Sequence, residues 1–213
     1  MIKLYSYIIP FDSGFAPNPF GKFMTLACCK PVIRRVVGRD FDKKDNIWIV
    51  GLSPKSDGNK IVFAMRVTEV VTFEQYYKQK RFEYKKPKFK SKRLSDIAGD
   101  NIYEKMRDGG YKQHRSMHSD NWKYDNWSES KYDKCHDLSG EYVLLSEDFY
   151  YLGKKNKKHL EEYLADLKVQ RFHKCNFTEK TKKNFENYIR NQNKPTVYYT
   201  VLKEEILKCK FDC

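Results

Sequence analysis

Alternating apolar and aromatic positions open the chain and return at intervals through its first 153 residues. IKLYSYII (residues 2–9) is rich in β-branched and aromatic residues, which predicts an opening strand. NIWIVGLS (46–53) and KIVFAMRVTEVV (60–71) flank a polar connection containing Asp, Gly and Asn, which predicts a β-hairpin. EYVLLSEDFYYLG (141–153) predicts two short strands or one strand with a bulge.

Helical signals lie mostly in the later part of the chain. Thr72 and Gln75 have the spacing of a capping box, which predicts a short helix after Thr72. Residues 156–167 carry leucines and a tyrosine at helical spacing. Asn176 followed by Glu179 predicts the start of a second capped helix, which ends before a proline.

The order of these elements predicts an α+β protein built on a small curled β-sheet or pseudo-barrel, with peripheral helices. No βαβ alternation appears, and neither GxGxxG nor GxxxxGK[ST] follows a strand. TVYYTVLKEEIL (196–207) is expected to close the structure as a strand or a strand-to-helix element. We therefore expect one domain over residues 1–213, with a β-rich core over 2–153 and a mostly helical extension over 154–213 packed on it.

Residues 11–35, FDSGFAPNPFGKFMTLACCKPVIRR, combine turn-formers, aromatics, two adjacent thiols and several cations. The prolines fix φ, and the glycines allow φ values that other residues avoid, so the segment predicts a rigid loop able to hold a ligand. A short helix is expected around residues 24–29, stopped by Pro31, with an extended apolar segment over residues 32–37.

The chain is strongly basic, with 42 Lys and Arg against 28 Asp and Glu and a formal net charge of +14. Together with an aromatic content of 15%, this charge favours nucleic acid or a phosphate-bearing ligand. KRFEYKKPKFKSKR (80–93) is interpreted either as a solvated loop or as an arm that contacts phosphates. The cations assigned to nucleic-acid backbone are Lys85, Lys86, Lys88, Lys90, Lys92 and Arg93.

Two further compositional features bear on compartment. No stretch approaches the roughly 20 apolar residues that a membrane-spanning helix needs, and Pro10 and Asp12 interrupt the apolar start. The six cysteines are therefore expected to be reduced thiols in a cytoplasmic protein with no membrane partner. The polar, Trp- and Tyr-containing stretch over residues 96–140 predicts a long insertion that is either functional or disordered.

Five segments in order resemble a known family. They are the loop over residues 11–35, DNIWIVGLS, IVFAMRVTEVVTFEQYY, GDNIY (99–103) and VLLSEDFYYLG, and the resemblance runs from about residue 2 to residue 153. This set resembles the nucleotide modification associated domain of type 2, a family named from its occurrence beside DNA base modification systems in phages and bacteria. The resemblance implies a context of modified nucleotides or DNA, without a defined reaction. The hairpin after Trp48 is also similar, more loosely, to the barrel of PUA and EVE-type domains, which hold a modified or flipped base at the barrel mouth.

Eight residues are the candidate ligand contacts. Acidic and amide groups can read a base edge, cations can meet phosphate, and rings can stack on a base. The alternative for the polar residues is ordinary turn chemistry, and Trp48 is equally consistent with a core position. The candidates are Asp12, Ser13, Phe15, Asn18, Lys30, Arg34, Trp48 and Ser53.

Thiols and histidines supply weaker candidates. Cys28 and Cys29 are adjacent and so point in different directions, which makes them a poor chelating pair, although a thiolate beside Lys30 is an alternative. His118 is either an acid-base group or an exposed loop histidine. The Cys and His residues considered as zinc ligands lack the paired CxxC spacing of zinc sites, so no metal and no cofactor are predicted; they are Cys135, His136, His173, Cys175, Cys209 and Cys213.

Three hypotheses follow. The first is a non-catalytic module that recognises a nucleotide or a modified base in nucleic acid, with DNA the favoured partner. The second is an enzyme acting on a nucleotide or DNA base through Asp12, Cys28 or Cys29, and His118. The third is a protein interaction subunit of a modification or defence system.

Overall fold

The computed structural model describes residues 1–153, 156–169 and 172–194. In chain order its strands are β1 (Ile2–Ile8), β2 (Met24–Leu26), β3 (Asn46–Leu52), β4 (Ile61–Arg66), β5 (Glu69–Thr72), β6 (Tyr103–Lys105), β7 (Tyr111–Gln113), β8 (Tyr142–Ser146), β9 (Asp148–Tyr151) and β10 (His173–Lys174). Its α-helices are α1 (Pro31–Arg39), α2 (Phe73–Lys78), α3 (Leu94–Ile97), α4 (Lys131–Leu138) and α5 (Glu179–Arg190), and short 3₁₀ helices span Lys55–Asp57, Lys80–Lys85 and Glu162–Leu167. The element expected over residues 196–207 lies outside the described residues.

The chain forms two compact units, each assembled from separated stretches of sequence. The first unit contains residues 1–12 and 42–68 and the described residues between 146 and 194. The second unit contains residues 13–41 and 69–145. Residue 153 is therefore not a boundary between units, because chain on both sides of it builds the first one.

The first unit is a five-stranded sheet in the order β10-β1-β3-β4-β9, covered by α5. β1 and β3 are parallel, with Ile2 opposite Asn46 and Ile8 opposite Leu52, and the other pairs are antiparallel. Gly51 is required in β3, because a Cβ there would lie 2.1 Å from the ring of Phe63. The predicted opening strand and hairpin are confirmed, and β8 and β9 confirm two strands in place of one.

The second unit contains the three-stranded sheet β2-β8-β5, the hairpin β6-β7 and the helices α1 to α4. The expected helix over residues 24–29 is wrong, since Met24–Leu26 is a fully buried strand. The expected extended segment over residues 32–37 is also wrong, because these residues lie in α1. Pro31 begins that helix at a position where its missing N–H has no intrahelical acceptor.

Two helix predictions can be checked at their termini. The capping box is confirmed, because Thr72 Oγ1 accepts from Gln75 N at 3.2 Å and Gln75 Oε1 accepts from Thr72 N at 2.8 Å. The second capped helix is confirmed as α5, but its cap is Thr178, whose side chain accepts from the backbone N–H of Thr181. Residues 156–167 form a 3₁₀ helix only at their end. The described chain is thus α+β as predicted, with small sheets none of which closes into a barrel.

Candidate active site

A buried histidine–aspartate pair lies in the second unit. His118 is 4% exposed and Asp137 is fully buried, with His118 Nδ1 2.7 Å from Asp137 Oδ2. Asp137 comes from the last turn of α4, which begins where Ser130 Oγ accepts from the backbone N–H of Asp133. Burial raises the pKa of Asp137, but its interactions with His118, Arg34 and Tyr103 outweigh burial, and the net pKa is lowered. The carboxylate is therefore ionised and can fix the orientation of the imidazole.

Cys29 completes a line of three groups. Its Sγ lies 3.5 Å from His118 Nε2, the ring nitrogen that does not face Asp137. The residue sits in the turn between β2 and α1 with φ of 56°, and Lys30 follows it with φ of 44°. Its backbone N–H donates to Asp137 Oδ1 at 2.6 Å. The aspartate thus holds both the histidine ring and the strained turn that presents the thiol.

This geometry suits a cysteine nucleophile. The thiol can give its proton to Nε2, while the Nδ1 proton is held by the carboxylate, the order found in nucleophile–base–orienter sites. Cys29 is half-buried and lies one residue before Lys30, the N-cap of α1, so the positive end of the helix dipole favours a thiolate there. Cys28 differs, because burial first and the carboxylates of Asp137 and Asp100 next raise its pKa well above the usual range.

The hairpin β6-β7 supports the line of Cys29, His118 and Asp137, here called the relay, from a second direction. Tyr103 OH donates to Asp137 Oδ2 at 2.7 Å, and Gln113 Nε2 donates to Tyr103 OH at 3.2 Å and to His118 O at 3.1 Å. Burial raises the pKa of Tyr103 well above its usual range, so its hydroxyl stays a donor. The ring of Phe15 lies over His118 with the centroids 4.6 Å apart. Each polar atom that orients His118 is therefore itself hydrogen-bonded.

Arg34 ties the two ends of the relay together. Its fully buried guanidinium donates to the backbone carbonyls of Cys29 at 2.8 Å, Asp137 at 2.5 Å and Tyr142 at 2.8 Å. Gly140 must be glycine, because a Cβ there would lie 2.3 Å from the guanidinium. Arg34, which the sequence assigned to a phosphate, is thus engaged inside the unit.

A second buried network holds two other predicted contact residues. Lys85 is 1% exposed, and its Nζ donates to Asn18 Oδ1 at 2.6 Å and to Asn18 O at 3.1 Å. Asn18 Nδ2 donates to Ala98 O at 2.7 Å. Asp100 accepts from Thr25 Oγ1 and from the hydroxyl of a tyrosine. Burial lowers the pKa of Lys85 to about 7, and this lysine is not at a surface that nucleic acid can reach.

The other predicted ligand contacts are spread over both units. Trp48 is fully buried and donates from Nε1 to Glu186 Oε1 at 3.2 Å, and Ser53 Oγ accepts from Lys60 N within the hairpin turn. Asp12 accepts from Tyr151 OH at 2.7 Å, also in the first unit. In the second unit Ser13 Oγ accepts from Phe15 N, and Lys30 is half-buried beside Cys29. Their role in binding a ligand stays a prediction.

Sequence reasoning considered Cys29 and His118 but missed Asp137. No short motif joins these residues, since Asp137 is 108 positions from Cys29 and 19 from His118. One local signal was available: Ser130 followed by Asp133 is a helix start, and a helix there places Asp137 in its final turn. His118 is not the exposed loop histidine that its polar neighbours suggested.

Cys28, His118 and Asp137 are also the residues among those described that could hold a metal, with donor atoms within 4.8 Å of one another. His118 and Asp137 also belong to the relay with Cys29, so the nucleophile site and this donor set share two residues.

The described chain is an α+β protein whose second unit holds a cysteine–histidine–aspartate relay. The chain belongs to the nucleotide modification associated domain 2 family, whose model matches residues 1–201 of 213. The match confirms the predicted family and reaches beyond residue 153, where the recognised segments end. No curated protein and no solved structure matches the chain. Across the described residues, no helix has the length and apolar character needed to cross a bilayer.

Proposed function

We propose that this protein is a cysteine-dependent enzyme that acts on a nucleotide or a nucleic-acid base. Cys29 is the nucleophile, His118 the general base and Asp137 the residue that orients His118. The observation that carries the proposal is the line from Cys29 Sγ to His118 Nε2 at 3.5 Å and from His118 Nδ1 to Asp137 Oδ2 at 2.7 Å. The family supports a nucleotide-related substrate.

The chemistry is covalent catalysis at an electrophilic carbon. As the S–C bond forms, the thiol proton moves to His118 Nε2, and the resulting imidazolium is stabilised by Asp137. The imidazolium then gives that proton to the leaving group as its bond to carbon breaks. Water, deprotonated by His118, cleaves the S–C bond, and the proton returns to the sulfur. On the protein's side, these steps use only the side chains of Cys29, His118 and Asp137, which are in contact with one another in this order.

Site-resolved alkylation tests the nucleophile without knowledge of the substrate. We expect iodoacetamide to modify Cys29 at lower pH than the exposed cysteines Cys135 and Cys175, as read by peptide mass spectrometry. His118→Asn should remove this difference while leaving the two exposed cysteines unchanged. Alkylation of Cys29 no faster than the exposed thiols at any pH would eliminate the nucleophile. A nucleotide and oligonucleotide library, screened with wild type against Cys29→Ser, then identifies the substrate.

Recognition without chemistry is the second candidate, favoured by the net charge of +14 and by exposed cations near residue 90. Under this function the loop over residues 13–34 contributes one wall of a base-binding site. Cys29→Ser would then bind modified DNA as wild type does, and neither protein would generate product. A salt-sensitive affinity with a preference among bases distinguishes this candidate from general attraction to polyanions.

A further inference from the structure

A row of exposed cations lies on one short segment of the second unit. Between Lys86 and Arg93, the lysines alternate with residues that are half-buried. No acidic residue interrupts this segment. The exposed cations, here called the cation row, are Lys88, Lys90, Lys92 and Arg93, of which Arg93 also pairs with Asp96.

Residues between the exposed cations bind this segment to the rest of the second unit through hydrogen bonds and a ring contact. Ser91 Oγ donates to Asp96 Oδ2 at 2.6 Å, and Lys88 N donates to Asp96 O at 2.6 Å. The ring of Phe89 packs against Trp122 with the centroids 6.0 Å apart. These anchors hold the backbone in place, so the lysine side chains extend from a fixed base. A fixed base reduces the ordering that binding a polyanion requires.

The same anchors connect the segment to the loop that carries His118. The guanidinium of Arg115 lies 4.6 Å from the centroid of Phe89, and its Nε donates to Trp122 O at 2.9 Å. His118 follows Arg115 by three positions, and its backbone N–H donates to Ser116 Oγ at 3.1 Å. One loop therefore contributes both the catalytic histidine and the residues that support the cation row.

We infer that the cation row binds the backbone of single-stranded nucleic acid, and that the base on which the relay acts belongs to that strand rather than to a free nucleotide. The second clause rests on the proposed function. Lysines supply sequence-independent phosphate contacts, which a mononucleotide cannot use in number. A strand is favoured over a duplex because the half-buried thiol and the buried imidazole require an unstacked base, which a single strand supplies without the unpairing that a duplex would need.

Fluorescence anisotropy with a labelled mixed-sequence single strand tests the surface. The triple variant Lys88→Gln, Lys90→Gln, Lys92→Gln should reduce the slope of log K against log salt by about 2, from about 0.7 per lost contact. The matched control is the triple change Lys43→Gln, Lys44→Gln, Lys55→Gln, at three exposed lysines of the first unit. An unchanged slope in the triple variant, or an equal loss in the control, would overturn the inference. So would equal competition by the duplex or by mononucleotides at matched phosphate concentration.

Two readouts separate this inference from the proposed function. Cys29→Ser should bind the strand with unchanged affinity, and the triple variant should keep the alkylation profile of Cys29. An unreactive Cys29 with intact, lysine-dependent strand binding would reject the enzyme and keep the surface. A reactive Cys29 with turnover of mononucleotides as fast as of strands, unaffected by the triple change, would reject the strand substrate and keep the enzyme.

Discussion

The two units bury different kinds of side chain. The core of the first unit is apolar, with Trp48, Tyr150 and Phe185 packed among aliphatic residues from the sheet and α5. The second unit buries ionisable groups instead: Arg34, Lys85, Asp100, His118 and Asp137 are each less than 5% exposed. Among the described residues of the first unit, Asp148 is the only charged side chain classed as buried, at 9% exposure.

This difference indicates which of the two units contains the functional groups. Burying a polar or charged group is unfavourable unless its hydrogen bonds are met, so an ionisable interior needs a reason beyond stability. Perturbed, paired titratable groups concentrate at functional sites. The second unit contains the relay, its supports and the cation row, whereas the first unit has the composition of a scaffold.

Truncating the apolar core tests the scaffold role and should give the largest effect. Phe185 is fully buried and lies edge-on to Trp48, with the ring centroids 5.7 Å apart. Phe185→Ala should lower the free energy of unfolding by about 3 to 5 kcal/mol through lost burial and the cavity left behind. Urea denaturation measures this loss, with Tyr163→Ala, an exposed ring, as the control. A shift in the pH profile of Cys29 alkylation under native conditions would contradict a purely structural role for the core of the first unit.

Removing one charge from the relay should cost less stability but alter reactivity. Asp137 accepts from Cys29 N, Tyr103 OH and the His118 ring, and an asparagine cannot accept from all three. Asp137→Asn should therefore destabilise the protein by about 2 to 3 kcal/mol and shift Cys29 alkylation to higher pH. Asp133→Asn on the same helix is the control. A loss below about 1 kcal/mol with an unchanged alkylation profile would assign Asp137 no orienting role.

The buried ammonium of Lys85 gives the second unit a pH dependence of its own. Its pKa is lowered by burial to about 7, so above that pH the folded state releases a proton that the unfolded state keeps. The free energy of unfolding of wild type minus that of Lys85→Met should rise by roughly 1.6 kcal/mol in total between pH 7 and 8.5, with a slope that approaches about 1.4 kcal/mol per pH unit as Lys85 becomes deprotonated. Lys90→Met, an exposed lysine, should show no such rise. If the free energies of unfolding of wild type and Lys85→Met change in parallel with pH, the pKa of Lys85 is not lowered in the folded state.

Local pattern was sufficient for much of the fold. Alternation in residues 2–9 and the turn chemistry between β3 and β4 predicted strands that the structure contains, because both signals arise from short-range geometry. Pro31 was misread as a stop since proline is compatible with either a break or a first helical turn. Only the burial of Ile33, Arg34 and Val37 on one face distinguishes these readings, and that depends on tertiary packing.

The site was less accessible to sequence reasoning for the same physical reason. Cys29 and His118 were visible as chemical types, but their pairing depends on a contact across 89 positions. Asn18 and Arg34 had the composition of ligand contacts, yet their polar groups satisfy the interior of the unit. Whether a polar side chain in a loop points inward is decided by which buried carbonyls need donors, and a single sequence does not contain that information.

The smallest effect concerns Asp148, the one buried carboxylate among the described residues of the first unit. Asp148 is 2.7 to 2.9 Å from cations of Arg66, Arg190 and Lys194. Burial raises its pKa, but these three cations outweigh burial and lower the pKa to about 2. A carboxylate with a depressed pKa stabilises the fold above its unfolded pKa near 4 and loses that contribution as pH falls toward 2.

Wild type should therefore lose about 1 kcal/mol between pH 4 and pH 2 that Asp148→Asn does not lose, a modest value because the three cations are partly exposed. Urea midpoints across this pH range measure the difference, with Asp125→Asn, a fully exposed carboxylate, as control. The folded state favours the charged form of Asp148, whereas it disfavours the charged form of Lys85. If Asp148→Asn loses as much stability in acid as wild type does, the ion pairs of Asp148 do not stabilise the first unit.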